Sequence, residues 1–319
     1  MKLSVSMIVK NEEVMLPACL ESVKDADEIV IVDTGSTDKT VEIAKKYGTV
    51  HHFEWCDDFA KARNYSISKC AGDWILVIDA DEVLKSSIAQ VKREIRKAKD
   101  KKFMTVSVSM RETVDGVMGE KVLDQKSVRM FRRIPEIKYE RAIHNTLTYD
   151  GEQVAPRRMA LESEIKMDSG FSPSHFGDPD RTIRILTKEL EEDPSSTRAM
   201  YYLATEYLYK KGDQDTALGL LAKYFQIAYV EGWAKKEPYQ LLTNELADAC
   251  YLMATIYVNK RDWHRAMSCA VTAAACWYSF KAPYVMISKL YEIAGMVEPA
   301  KYWRALSEKV NNEGVLFVR

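Results

Sequence analysis

No run of eighteen apolar residues occurs in the chain, so no segment reads as a membrane-spanning helix. Neither sign of charge is in excess, with 46 Lys and Arg against 47 Asp and Glu. Nucleic-acid binding needs a basic face, and this balance gives no support for one. The six cysteines (Cys19, Cys56, Cys70, Cys250, Cys269, Cys276) form no CxxC pair. They fall within apolar patterns and read as free core thiols in a reducing compartment. The opening MKLSVSMIVKNEE does not read as a secretion signal, because Ser4 and Ser6 break its apolar run and charges follow. A cytoplasmic location is therefore expected. Neither GxGxxG nor a Walker A sequence is found, which removes the dinucleotide and P-loop readings.

What is present alternates. LSVSMIV, DEIVIVD, TVHHF and WILVID read as strands, the third a short one. Between and after them, NEEVMLPACLESV, STDKTVEIAKKYG, DFAKARNYSISKCAG and SSIAQVKREIRKAK read as helices. The second helix is expected to open on a Ser36 or Thr37 cap and to end at Gly48. Strand–helix alternation at this spacing predicts a mostly parallel sheet covered on both faces. From residue 103 the pattern changes. FMTVSVSM alternates like a half-exposed strand, VDGVM suggests a hairpin turn, and SVRMFRR suggests another strand. Residues 139–176 read as irregular, part of an antiparallel extension closing over the sheet's ligand end.

From about residue 179 everything reads as paired helices. Ala254 and Ser288, Tyr257 and Tyr291, and Ala266 and Ala300 recur at the tetratricopeptide period of about 34. The first pair is offset by an insert, YVEGWAKKEPYQ, whose aromatics could pack across a two-fold axis to form a homodimer. The expected architecture is thus an α/β domain over 1–178 and an all-α, TPR-like domain over 179–319.

Ligands of open α/β sheets bind beyond the carboxyl ends of the strands. The polar residues there are Lys10-Asn11-Glu12, Asp33-Thr34-Gly35-Ser36 and Asp79-Ala80-Asp81. In DWILVIDADEVL a buried strand runs straight into Asp79, Asp81 and Glu82. Carboxylates so placed suit a hard cation such as Mg²⁺ or Mn²⁺ held with substrate phosphates. They also suit plain helix capping, with Asp81 or Ser86 as the cap and Glu82 as a helix-start residue. Gly35 permits a tight turn at a helix start whose amides suit an anion. Arg63 and Asn64, just before this strand, read either as ligand contacts or as a solvated helix face.

The ordered set SMIVKNEE, DEIVIVDTGSTDKTVEIAKKYG, DDFAKARNYSISKCAGDWILVIDADE and RMFRR resembles the family 2 glycosyltransferases of GT-A fold. The resemblance covers roughly residues 1–135, and the appended repeats suggest a bacterial branch. It implies a metal-dependent, inverting transfer of sugar from a nucleotide-sugar, usually a UDP-sugar. The acceptor would be a protein, a peptide or a surface glycan. By that resemblance Asp33 accepts from the base, and Val9, Asn11 and Glu12 line the base and ribose pocket. Arg63 flanks the base or diphosphate, Asp79 with Ala80 approaches the ribose, and Asp81 holds the metal. His175 is a candidate third metal ligand.

The family's His-Glu pair is His144-Asn145 here, so the acid is missing at that position. Glu140 is the substitute for the catalytic base, with Asp124 and Glu136 as rivals. The missing acid leaves a second reading: a weakly catalytic nucleotide-sugar-binding protein whose repeats form a partner scaffold. A Cys acceptor, needing less help from a base, is a further possibility. A nucleotidyltransferase is disfavoured, because SMIVKNEE has no glycine.

Overall fold

The computed structural model describes residues 1–113, 122–154, 160–170, 177–231 and 244–310. The chain divides into two compact units, Met1–Arg181 and Thr182–Arg319.

The first unit is built on a mixed eight-stranded sheet. Strands β1 (Leu3–Val9), β2 (Glu28–Asp33), β3 (Thr49–His52) and β4 (Trp74–Val77) form its parallel half, in the order β3-β2-β1-β4. β1 and β4 are buried almost throughout, as strands covered on both faces must be. The other half holds β5 (Glu82–Leu84), β6 (Thr105–Thr113), β7 (Val122–Arg132) and β11 (Ala160–Ser169). β7 runs antiparallel to both β4 and β6.

Helices α1 (Leu16–Val23), α2 (Thr40–Ala44), α3 (Phe59–Lys69) and α4 (Ile88–Asp100) connect the strands. A small antiparallel sheet of β8 (Ile137–Glu140), β9 (Thr146–Tyr149) and β10 (Glu152–Gln153) is pinned to α3 through Asn64. The Asn64 side chain donates to the Tyr139 carbonyl at 2.8 Å and accepts its amide at 2.9 Å. It therefore works as an extra strand partner rather than as a solvated group.

Several local expectations are corrected. α2 spans only Thr40–Ala44 and has no side-chain cap. Ser36 and Thr37 precede its N-cap position, Lys39, and their hydroxyls are engaged with Asn11 instead. α4 is capped by Ser87, which forms a reciprocal capping box with Gln90, and not by Asp81 or Ser86. Residues 160–169 form a strand parallel to β6, with a register shift between Glu162 and Lys166, where an irregular stretch was expected. Cys56 is exposed, so only some of the free thiols are core residues. The VDGVM turn lies outside the described residues.

Gly72 joins α3 to β4 where the chain crosses the start of β1. A Cβ there would lie 2.5 Å from Ser4 Oγ and 2.7 Å from the Ser4 amide. Gly72→Ala is expected to destabilise the unit by about 1–3 kcal/mol through this overpacking. Urea denaturation checks it; an unchanged midpoint would show that β1 gives way freely.

The second unit is helical: α5 (Arg181–Glu192), α6 (Thr197–Glu206), α7 (Gln214–Phe225), α8 (Asn244–Asn259), α9 (Trp263–Cys276), α10 (Lys281–Ile293) and α11 (Val297–Lys309). The α8–α9 and α10–α11 hairpins repeat one plan. Ala254, Ala266, Ser288 and Ala300 are all buried, the small residues that let paired helices approach. Ser288 Oγ donates to the Ala300 carbonyl at 2.8 Å across the last hairpin. Gly212, at φ 68°, turns the first hairpin and Asp213 caps its second helix. The inserted YVEGWAKKEPYQ falls almost wholly outside the described residues. Among the described residues no helix is long and apolar enough to cross a membrane.

Candidate active site

Three strand-end loops meet at the carboxyl edge of the parallel half. The loops after β1 and β2 are laced together. The Asn11 amide donates to Ser36 Oγ at 3.0 Å, and its side-chain oxygen accepts from the Thr37 amide at 2.8 Å. Asn11 has φ 55°, a left-handed conformation that asparagine tolerates better than most residues. The Glu12 amide donates to Thr40 Oγ1 at 2.7 Å, and the Val9 carbonyl accepts from the Thr34 amide at 3.0 Å. Asp33 is buried and folds its carboxylate back onto the amides of Gly35 and Ser36, at 3.1 and 3.2 Å. Exposed His52, at the edge of β3, stands 3.7 Å from Asp33.

The third loop carries Asp79, Ala80 and Asp81. Arg63, on α3, donates through Nη2 to Asp79 Oδ1 at 2.8 Å. Arg129, on β7, reaches Asp79 Oδ2 at 3.5 Å and makes a close ion pair with Glu82. Glu82 also accepts the Asp79 amide at 2.8 Å. The helix-face reading of Arg63 is thereby overturned, since its side chain is only 13% exposed and ion-paired. Glu82 does not start a helix either: it opens β5 and is buried. Ala80 is buried in the core beneath the turn.

The Asp81 carbonyl accepts from the Gly170 amide at 2.7 Å. A Cβ on Gly170 would come within 2.6 Å of that oxygen, so glycine permits the close approach of the chain after β11.

Electrostatics follow from this packing. Burial works against charge on Asp79, but Arg63 and Arg129 outweigh it and hold the carboxyl below its ordinary range. Glu82 goes the other way. Burial pushes it up, Arg129 opposes, and the Asp79 charge reinforces the rise. Both guanidiniums stay charged, because these acids outweigh the cost of burying them. The buried Cys19 thiol, donating to the Asp79 carbonyl at 3.3 Å, is pushed up by burial and then by Glu82, Asp79, Asp81 and Glu12. Four carboxylates thus bear on one point, with two guanidiniums to balance them.

Among the described residues at this turn, three buried donors have no hydrogen-bond partner: Nε and Nη1 of Arg63 and Nε of Arg129. Unpaired buried donors are costly, and an incoming oxygen acceptor would relieve them. Among the described residues no three His, Cys, Asp or Glu side chains are grouped to hold a metal unaided. A cation at Asp79 and Asp81 would need substrate oxygens to complete its shell, as Mg²⁺ sites commonly do.

The remaining candidates sit on β7, on β8 and in the turns beside β8 and β9, or outside the described residues. Glu140 ends β8 and pairs with Lys138 at 3.1 Å. Its neighbour Tyr139 packs its ring against Arg63, 5.5 Å from the guanidinium to the ring centroid. Successive strand residues point to opposite faces, so Tyr139 and Glu140 leave β8 on different sides. The backbone of Asp124 lies in β7 opposite Arg111. Glu136 sits in an exposed turn, and His144 is exposed at φ 47°. His175 is outside the described residues.

Sequence reasoning missed the parts played by Arg129 and Glu82. The available signal was an arginine inside the apolar strand VRMF, where a charge must find a partner.

Comparison with known proteins gives the family. The glycosyl transferase family 2 profile matches residues 4–161. A TPR repeat-containing protein of Synechococcus elongatus is 41% identical over 45% of this chain and 34% of its own length. The SPbeta prophage-derived glycosyltransferase SunS of Bacillus subtilis is 28% identical over 63% of this chain and 48% of its own. The lipopolysaccharide core biosynthesis glycosyltransferase LpsC of Rhizobium meliloti is 31% identical over 41% of this chain and 51% of its own. The chain thus spans between a third and about half of the length of these relatives. A mixed sheet with a parallel half, the carboxylate turn after β4 and the profile match agree: the α/β unit of this chain belongs to glycosyl transferase family 2.

Proposed function

We propose that the chain is a metal-dependent, inverting glycosyltransferase that takes its sugar from a nucleotide-sugar, with a UDP-sugar as the first candidate. The observation that carries this reading is the pair of unsatisfied Arg63 donors beside the Asp79–Asp81 turn. A nucleoside diphosphate offers the oxygens those donors lack. Asp79, already clasped by two guanidiniums, is best suited to accept from a ribose hydroxyl. Asp81 would hold Mg²⁺ or Mn²⁺, its hard oxygens and the local surplus of carboxylate fitting such a cation. That ion, when bound, offsets charge on the departing diphosphate. Asp33 would meet the base beside the loops that carry Val9, Asn11 and Glu12.

The acceptor hydroxyl or amide needs a base, and Glu140 and Asp124 remain the candidates. Glu140→Gln is expected to lower transfer by about 10²-fold while donor affinity holds. Steady-state kinetics beside a binding isotherm would check this, and full activity would remove Glu140 from the role. The helical unit would select a protein, peptide or glycan acceptor, since solenoid faces suit extended chains. Release of UDP from UDP-glucose or UDP-N-acetylglucosamine in the presence of Mn²⁺ tests the reading as a whole. Steady release supports it; none from any nucleotide-sugar overturns it.

A further inference from the structure

We infer that Arg129 and Glu82 are positioning residues that preset the donor-binding turn; this deepens the reading above and rests on it. The argument starts from strand register. On β6, Val106 faces Met130 of β7, while the next residue, Ser107, faces Val128. Arg129 is therefore an extra residue with no cross-strand partner, the signature of a β-bulge. A bulge bends its strand and re-aims a side chain, and this one turns Arg129 toward the loop after β4.

There the guanidinium meets two acids at once, Asp79 and Glu82. Glu82 in turn accepts the Asp79 amide. Arg129 thus fixes the Asp79 carboxylate directly and the Asp79 backbone through Glu82. On the far side of the turn, the Gly170 amide holds the Asp81 carbonyl. Asp79 and Asp81 are gripped before any ligand arrives.

A purely structural role explains this less well. A buried ion pair adds little stability over apolar side chains of similar volume. Those side chains would not need a bulge, or an arginine that leaves Nε without a partner. Supporting groups behind a metal or phosphate site commonly govern affinity by 10–100-fold, because they hold the contacting oxygens in register.

The test uses the full chain with Arg129→Lys and Glu82→Gln. Lysine keeps the charge but cannot bridge both acids as a fork does. Glutamine keeps an acceptor for the Asp79 amide but loses the ion pair. Each variant is assayed with UDP-glucose and UDP-N-acetylglucosamine in Mn²⁺ for donor KM, kcat and half-saturating Mn²⁺. Thermal melting in parallel shows that each is folded at the assay temperature.

For Arg129→Lys, donor KM and half-saturating Mn²⁺ are expected to rise about tenfold or more, with kcat at saturation within about threefold. Glu82→Gln should move the same two quantities by less. A folded Arg129→Lys whose donor KM and Mn²⁺ requirement stay within about twofold of the unaltered protein overturns the inference. A loss confined to kcat overturns it as well. If the unaltered protein turns over no nucleotide-sugar, the reading of the site fails, and the inference falls with it.

Discussion

Asp81→Ala is expected to cut UDP-sugar turnover by about 10³-fold or more, the scale of several kcal/mol of charge stabilisation at the leaving group. The change should leave the fold intact. Asp81 is only partly buried, and the bond from the Gly170 amide to its carbonyl does not depend on its side chain. Turnover and melting temperature measured on one preparation separate the two effects. Asp81→Asn should be nearly as poor, because a neutral amide keeps the shape but not the charge that attracts a divalent ion. Near-normal turnover by either variant would remove Asp81 from the site.

The second large effect concerns stability. Arg129→Ala is expected to cost about 3–5 kcal/mol, the range seen when one partner of a buried ion pair is removed. Asp79 would still have Arg63, but Glu82 would lose its close ion pair with the Arg129 guanidinium.

The sign of the pH dependence follows from Glu82. Its carboxyl is raised in the folded protein, first by burial. The folded state therefore holds a proton that the unfolded chain has lost above its ordinary value of about 4.3. Stability from this group is full below that value and declines as pH rises toward neutrality. Removing Arg129 strengthens the trend, so the deficit should be larger near pH 8 than near pH 5. Denaturant titrations at both pH values measure it. A deficit that grows on acidification would contradict the assignment. Arg129→Ala combined with Glu82→Gln should recover part of the loss, since the buried charge goes with its partner.

The sequence showed the parts of this arrangement that are local. Strand–helix alternation marked the parallel half of the sheet, and WILV running into Asp79 and Asp81 marked its ligand edge. The period of 34, seen in Ala266 and Ala300, marked the helical hairpins. What stayed hidden depends on distant pairing. Arg129 follows Asp79 by 50 positions and meets it only because β7 lies antiparallel beside β4. The bulge that aims it is a mismatch between two strands and cannot be seen in either alone. β5 is three residues long, too short for any periodicity, so Glu82 looked like a helix start. Asn64 could not be recognised as an anchor before β8 was known to lie against α3. The Ser36 and Thr37 side chains looked like caps because their competitor, Asn11, belongs to another strand end.

The most direct test of the central claim is calorimetric titration of the unaltered protein with UDP-glucose and UDP-N-acetylglucosamine, with Mn²⁺ and then with EDTA. The account predicts binding of a nucleotide-sugar in Mn²⁺ that weakens strongly in EDTA and in Asp81→Ala. No binding of any nucleotide-sugar, or equal binding with and without the metal and the Asp81 carboxylate, would contradict it.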